Sequence, residues 1–485
     1  MIGVTSPCMS DIRPGSRRTK ILATIGPACG DPAVLARLVD AGMDGARINM
    51  SHGSPEQWLA YAREVRQLEE TSGRPIAVLA DLQGPKIRLA ADTPRRRLAE
   101  GEEVTVVAGA KTPRGTLAVD WDRVTEAALL GVSELVIGDG TPRLEILGDT
   151  TFDGAPALVA RCTKSGDVAP RRGATLTHVA LAGPCLTEKD LADLDTLVDL
   201  RPDLVALSFV RAASDIEELR GELAGRGLGD TRIIAKIEKS EAMRVLDDII
   251  AASDGIMVAR GDLGIELGVA HIPLAQKRII ARAQAHGRLV ITATQMLESM
   301  HLRPEPTRAE ATDVANAILD GTSAVMLSGE TAQGSYPVEA VAAMDEIARV
   351  AEVAITPAPV RETPLSDAEA VLQAAAFLGE SRECACYVTP TETGGSARAL
   401  AHSRPHAPIL ALTANRDVAR ALALEWGVVP RVFPRRENVA AMLDDALTLV
   451  TDLMNLSSGA PVVMAYGVSI AQPGRTSLIV LRHVR

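Results

Sequence analysis

Aromatic side chains are almost missing from this chain: three Trp, four Tyr and four Phe make up 2% of 485 residues. Aliphatic packing must therefore build its cores, and no row of rings is on offer for stacking nucleic-acid bases. Basic charge is short as well. Fifty-one Lys and Arg stand against 62 Asp and Glu, a net charge of −11, which is the wrong sign for a surface that grips phosphate backbones. The one basic run, Arg95-Arg96-Arg97, reads as a solvated face. No apolar run approaches the ~18 residues of a membrane span, and the N-terminus carries no apolar signal core. The six cysteines, at 8, 29, 162, 185, 384 and 386, are scattered, as in a reduced cytosolic protein rather than a disulfide scaffold. Cys384-Ala-Cys386 has no second pair to complete a zinc site. The expectation is a cytoplasmic α/β enzyme with neither nucleic acid nor membrane as a partner.

What the chain has in plenty is buried-strand pattern. Eight continuous apolar runs are separated by helical stretches: Lys20–Gly26, Asp44–Met50, Pro75–Asp81, Asp203–Val210, Arg232–Glu238, Gly255–Asp262, Leu289–Gln295 and Ser323–Glu330. Such runs mark parallel strands covered on both faces, and eight is the number a (β/α)8 TIM barrel needs. Crossover helices are expected at 32–41, 55–72, 190–200, 214–224, 242–251, 273–286 and 308–319. Asp31-Pro32 and Ser54-Pro55 supply cap and first-turn signals for two of them. Residues 89–178 break the rhythm with short β pieces and Gly, Pro and Asp turns such as Asp153-Gly154, which predicts an inserted all-β lid domain. A Pro-rich stretch, Thr356-Pro-Ala-Pro359 to Thr363-Pro364, closes the barrel. The expected domains are a barrel over 1–88 and 179–354, the insert over 89–178, and a C-terminal open α/β sheet over 355–485.

In a parallel barrel the C-terminal strand ends converge on one mouth, where catalysis sits. The four runs between 232 and 331 all end in groups that can do chemistry. Lys236 and Glu238 share a strand face, because side chains two apart point the same way. Asp262 arrives from the next strand, Arg260 stands two residues before it, and Thr294, Ser328 and Glu330 come from the last two. Two carboxylates beside a cation can hold a hard divalent ion such as Mg2+ together with phosphate oxygens. Lys236 and Arg47 are then cations facing a phosphoryl group in flight. Taken alone, Lys236–Glu238 also reads as a structural ion pair, Thr294 as a core or capping residue, and His52 as a structural hydrogen-bonder.

Arg18-Thr-Lys-Ile-Leu-Ala-Thr-Ile-Gly-Pro27, Ala46-Arg-Ile-Asn-Met-Ser-His-Gly53, Asp81-Leu-Gln-Gly-Pro-Lys-Ile-Arg88, Ala235-Lys-Ile-Glu238, Ile256-Met-Val-Ala-Arg-Gly-Asp-Leu-Gly264, Ala293-Thr-Gln-Met-Leu-Glu-Ser299, Pro306-Thr-Arg-Ala-Glu310 and Met326-Leu-Ser-Gly-Glu-Thr331 together resemble pyruvate kinases. The resemblance is collinear from about 17 to 350, looser in the insert and looser again in the C-terminal third. It implies Mg2+-dependent phosphoryl transfer from phosphoenolpyruvate to ADP, giving pyruvate and ATP, with Mn2+ as a substitute ion. It also implies a homotetramer under a sugar-phosphate effector. Another Mg2+-dependent barrel acting on phosphoenolpyruvate, or a silent sugar-phosphate sensor, are the competing readings.

By the resemblance, Glu238 and Asp262 hold Mg2+, and Lys236 and Arg47 clamp the phosphoryl group. The Gly261 and Asp262 backbone and the Thr294 hydroxyl receive the substrate carboxylate, Thr294 lying near the carbon that gains a proton. Ser328 is counted with the catalytic groups. Asn49, Ser51, His52, Arg88 and Arg172 fall on the nucleotide side. Asn49, Ser51, Asp81 and the Leu82 backbone match a monovalent-cation pocket, yet Lys86 replaces the carboxylate common in K+-dependent members, so no K+ requirement is expected. Where members commonly read Lys-Gly-Val-Asn-Leu-Pro-Gly, this chain has Arg172-Gly-Ala-Thr175-Leu-Thr177-His178, so the basic residue survives as Arg while Asn and Pro are gone. Thr391, Thr393, Gly394 and Ser396 match the family's effector loop and would cradle phosphate at a helix N-terminus. Glu392 and Gly395 replace basic residues of fructose-bisphosphate-responsive members, which favours a sugar monophosphate.

Overall fold

The structure, a computed structural model, describes residues 17–121, 124, 132–138, 140–177, 183–357, 366–436, 438–467 and 476–485. Eight parallel strands close into a barrel: Lys20–Thr24, Gly45–Asn49, Ala77–Asp81, Leu204–Leu207, Arg232–Ile237, Gly255–Ala259, Leu289–Ala293 and Ala324–Leu327. The eighth pairs with the first, Lys20 to Ala324 through Ala23 to Leu327, and the third pairs with the fourth across the insert. Six of the eight are buried at every position, which is why they read as unbroken apolar runs. Helices ring them, each burying one stripe. Asp31 caps the Pro32–Asp40 helix by accepting from the Ala33 and Val34 amides, and Thr187 and Thr307 form capping boxes for the Glu188–Leu200 and Arg308–Leu319 helices. Ser54 holds the cap position of the Pro55–Ser72 helix but makes no capping bond to its amides.

Between the third and fourth barrel strands stands a six-stranded sheet with a two-stranded one beside it. Its longest hairpin joins Arg143–Phe152 to Ala155–Lys164 through Asp153-Gly154, both at positive φ (50° and 79°), as a tight primed turn demands. The chain enters and leaves this sheet as an antiparallel pair. Leu89 donates to the Arg172 carbonyl at 2.8 Å and Ala174 to the Ile87 carbonyl at 2.9 Å. The C-terminal domain is a five-stranded sheet ordered Val428–Val432, Ile409–Thr413, Cys386–Pro390, Pro461–Gly467, Thr476–His483, with only the last strand antiparallel. The Val428–Val432 strand has no counterpart in the sequence reading, because Pro430 breaks its pattern; it sits at the sheet edge, where a proline is tolerated. The boundary at 178/179 and most of the Pro-rich stretch, including Pro359, Thr363 and Pro364, fall outside the described residues, as does His178.

The two large domains are bolted together. Ala423 and Leu424 of the C-terminal domain join Leu22, Leu79, Leu204, Ile234 and Met257 in the core inside the barrel. A Cβ built on Gly45 would meet the Leu424 Cδ2 at 2.9 Å, so the bare glycine makes room for this plug. Around it, Arg404 and Arg18 lie over the Trp426 ring at 4.7 and 5.2 Å from its centroid, Arg420 bonds Glu69 at 2.8 Å and Arg232 bonds Glu425 at 2.7 Å. Truncating a fully buried leucine removes its transfer energy and leaves a void, together about 2–5 kcal/mol. Leu424→Ala should therefore lower the urea midpoint and speed proteolysis of the interdomain joint. An unchanged midpoint and digestion pattern would show that the plug is dispensable.

Candidate active site

At the C-terminal end of the barrel one buried carboxylate organises two cations. Asp81 ends the third strand and is 1% exposed. Its Oδ2 accepts from Arg47 Nε at 2.7 Å, and its Oδ1 lies 3.1 Å from Lys236 Nζ. Arg47 also donates to the Thr24 hydroxyl at 3.0 Å, and Lys236 to the Ser208 hydroxyl at 2.7 Å. Lys236 Nζ further lies 3.2 Å from Glu238 Oε1, the same-face spacing of alternate strand positions. Burial alone would raise the Asp81 carboxyl, but Lys236 and Arg47 hold it below its ordinary value. For Lys236 burial works toward the neutral amine, and Asp81 and Glu238 overcome it to hold the ammonium above its ordinary value.

Glu238 has the opposite balance. Burial pushes its carboxyl up, Lys236 pulls it down, and Asp262 pushes it up again. Its Oε2 accepts from the Phe209 amide at 2.7 Å, so its position is fixed. Its charge is under-compensated. Two carboxylates in electrostatic range of each other, with oxygen donors only, suit Mg2+. Among the described residues no three His, Cys, Asp or Glu are arranged so that they could hold a metal ion by themselves, so further ligands would have to come from substrate and water. Lys86 reaches in from the loop after the third strand, its Nζ 3.7 Å from Asp262 Oδ1.

Several groups differ from the sequence reading. The Gly255–Asp262 run is not one strand: the strand ends at Ala259, and Arg260, Gly261 and Asp262 form the first turn of the Arg260–Leu267 helix. The amides at a helix start are free of helical partners, which a glycine-rich strand end does not disclose. The Gly261 amide donates to the Thr294 hydroxyl at 2.8 Å, and that hydroxyl donates to the Ala293 carbonyl at 2.6 Å. The last run likewise ends as strand at Leu327. Glu330, 1% exposed, accepts from the Ser328 and Leu297 amides at 2.7 and 3.1 Å; it braces backbone rather than facing the mouth. The Ser328 hydroxyl is buried and has no partner among the described residues. Arg260 also turns from the mouth, to the backbone of Thr294 and Gln295.

Among the residues expected from sequence on the nucleotide side, Asn49 lies beside Asp81 in the strand register, and its side-chain oxygen accepts from the Ser51 amide at 3.1 Å. The Leu82 carbonyl accepts from the Ser208 hydroxyl at 2.7 Å. Asp81 and Leu82 are thus engaged by protein groups, and Lys86 pairs with Asp262 rather than with them. His52 is partly desolvated and faces Arg88, Arg47 and Lys86, which together hold its imidazolium below the ordinary value. Arg88 donates to the Arg171 carbonyl at 3.2 Å. The Arg172 guanidinium folds back over Gly138 and donates to the Asp167 carbonyl at 2.5 Å, within the inserted domain. Ser208, Thr24 and the Phe209 amide escaped the sequence reading; the one signal was Ser208 itself, a hydroxyl interrupting the apolar stretch 204–210 near its C-terminal end.

The residues expected to form an effector loop lie in the C-terminal domain, away from the mouth. Thr391, Thr393 and Ser396 line a cleft of about 1620 Å³ between the barrel and the C-terminal domain. Thr391 accepts from the Gly394 amide at 2.9 Å, and the Ser396 hydroxyl lies 2.7 Å from that of Thr476. Gly394, at φ 81°, caps a short helix that runs Gly395–Ala401.

Two family models match the chain: "Pyruvate kinase, barrel domain" over residues 16–341 and "Pyruvate kinase, alpha/beta domain" over 369–481. The chain is 37% identical over 470 residues to a protein named pyruvate kinase from Sporosarcina psychrophila, covering 96% of this chain and 80% of that one. It is 38% identical over 473 residues to one from Geobacillus stearothermophilus, with the same coverage. It is 39% identical over 467 residues to one from Mycobacterium intracellulare, covering 96% of this chain and 98% of that one.

Proposed function

The chain belongs to the pyruvate kinase family, and we propose the residue roles through which its barrel mouth performs that family's reaction, phosphoryl transfer from phosphoenolpyruvate to ADP to give pyruvate and ATP. The observation that carries the reading is Lys236, held between Asp81, Glu238 and the Ser208 hydroxyl. A fixed cation there costs no reorganisation when charge develops on the transferring group. Arg47 is the second cation, locked by Asp81. Glu238 and Asp262 would hold Mg2+ (or Mn2+), which when bound neutralises phosphate oxygens and orients phosphoenolpyruvate. The Asp262 amide at a helix start, with Gly261 and Thr294, receives the substrate carboxylate. The Thr294 hydroxyl relays a proton toward the enolate carbon, with Ser328 among the supporting groups. Asn49, Ser51, His52, Arg88 and Arg172 form the nucleotide side, and the inserted domain acts as a lid hinged at the pair 87–89 and 172–174. No described helix is long and apolar enough to cross a membrane, and a cytoplasmic homotetramer fits the reading.

Lys236→Met should fold and lose at least about a hundredfold in kcat, the scale on which preorganised charge acts, while exchange of the pyruvate methyl protons survives. Near-parental turnover in that variant would overturn the reading.

The effector proposal is a sugar monophosphate at Thr391, Thr393, Gly394 and Ser396. It predicts that such a ligand shifts the phosphoenolpyruvate saturation curve and that Ser396→Asp abolishes the shift. A curve that no sugar phosphate moves would end it.

Lys86 carries a further proposal, that the enzyme works without K+. Its ammonium already stands at the mouth, and a second monovalent cation beside Lys236, Arg47 and Lys86 would meet like charge in a site of low dielectric. In tetramethylammonium buffer the unmodified enzyme should be fully active, and Lys86→Glu should acquire a K+ requirement. Strong stimulation of the unmodified enzyme by KCl at constant ionic strength would refute this.

A further inference from the structure

Thr294 and Gln295 leave the seventh strand at φ 70° and 54°, two successive side-chain-bearing residues in the left-handed region. A β-branched residue resists that conformation most, and such backbone survives only where its surroundings over-determine it. One side chain supplies the restraint. Arg260 Nη2 donates to the Thr294 carbonyl at 2.8 Å and to the Gln295 carbonyl at 3.2 Å, with Nε also on the Thr294 carbonyl at 3.2 Å. Its Nη1 is tied down by Asp313 Oδ2 at 2.7 Å and Gln276 Oε1 at 3.4 Å, on two outer helices. The guanidinium is buried, and its carboxylate partner Asp313 belongs to the Arg308–Leu319 helix outside the barrel strands. It thus joins the outer helices to a strained peptide, while the hydroxyl of the same Thr294 meets the Gly261 amide.

We infer that Arg260 is a positioning residue: it holds Thr294 and Gln295 left-handed and so fixes where the Thr294 hydroxyl stands at the mouth. The inference rests on the reading of Thr294 as the hydroxyl that serves the substrate. Only a planar fork with several donors reaches both carbonyls and the outer anchors at once; an ammonium does not reproduce it. The bonding is also local in sequence to Gly261 and Asp262, so one turn of helix carries the carboxylate and amides forward and the brace backward.

The test compares Arg260→Met, Arg260→Lys, Gln295→Gly and the double variant Arg260→Met/Gln295→Gly, each first checked for folding by urea titration. Arg260→Met should lose roughly a hundredfold in kcat, the loss that a misplacement of about 1 Å brings, and exchange of the pyruvate methyl protons should fall with it. Mn2+ affinity, measured by titration calorimetry, should hold. Arg260→Lys should lie between parent and Arg260→Met. Glycine adopts positive φ without strain, so Gln295→Gly should return about tenfold to Arg260→Met, the factor allowed by relieving one strained residue. Parental kcat in Arg260→Met overturns the inference, as does a Mn2+ affinity that falls in step with kcat, or a double variant no better than Arg260→Met. If Arg260→Met does not fold, Arg260→Lys with and without Gln295→Gly decides by the same criterion. Thr294→Ala keeps the two claims apart: full proton exchange there would end the role of Thr294, whereas rescue by Gln295→Gly reports on the brace alone.

Discussion

The mouth of this barrel depends on the Asp81 carboxylate. Buried almost completely, it takes Arg47 on one oxygen and Lys236 on the other, and so ties the second, third and fifth strands together through charge. Ser208 on the fourth strand's end completes the link, donating to the Leu82 carbonyl while accepting from Lys236. Removing the carboxylate would leave two cations a few ångströms apart in a dry site, and burial would then favour losing a proton from Lys236. Two cations can stand this close at the mouth only because this anion stands between them.

The scaffold keeps those strand ends in place from the opposite side. Leu424 and Ala423 fill the barrel interior from below, and the Trp426 ring lies under two guanidiniums that belong to different domains. Arg404 donates to the Thr322 carbonyl, in the loop that opens the eighth strand, so the C-terminal domain grips the barrel by its backbone as well as by its core. The cleft holding Thr391, Thr393 and Ser396 opens beside this joint and is lined by residues of both domains. A ligand that changed the spacing of its walls would act on elements continuous with the catalytic strands, although that coupling has to travel the length of the barrel.

Much of this was legible in the sequence, for a physical reason. A strand buried on both faces must be apolar throughout, so eight runs announced eight barrel strands, and the alternation of side chains put Lys236 beside Glu238. Contacts across the fold left no such trace. Leu424 lies in the turn just past the Arg416–Leu422 helix, and nothing local says that it enters another domain. The turn from strand to helix at Ala259–Arg260 hides behind a glycine that reads equally as a loop, and Glu330 has the same residue type whether it faces substrate or braces amides. The left-handed backbone of Thr294 and Gln295 contradicts their propensities. It is imposed by Arg260, which is 34 residues away from Thr294 along the chain.

The three carboxylates of the mouth are therefore not equivalent. Asp81 has both oxygens occupied by cations and is held ionised; it is part of the frame. Glu238 spends one oxygen on the Phe209 amide and shares Lys236 with Asp81, which leaves it short of positive charge. Asp262 meets Lys86 at 3.7 Å, with both side chains about a third exposed, a contact of the kind that contributes little and exchanges readily. An arriving divalent ion would thus displace no strong interaction. It would find one carboxylate fixed in position but under-compensated, and a second whose only cationic partner, among the described residues, sits on a loop leading to the inserted domain. The same loop runs on into the strand pair at 87–89 and 172–174 that joins the inserted domain to the barrel, so Lys86 stands between the second carboxylate and that joint.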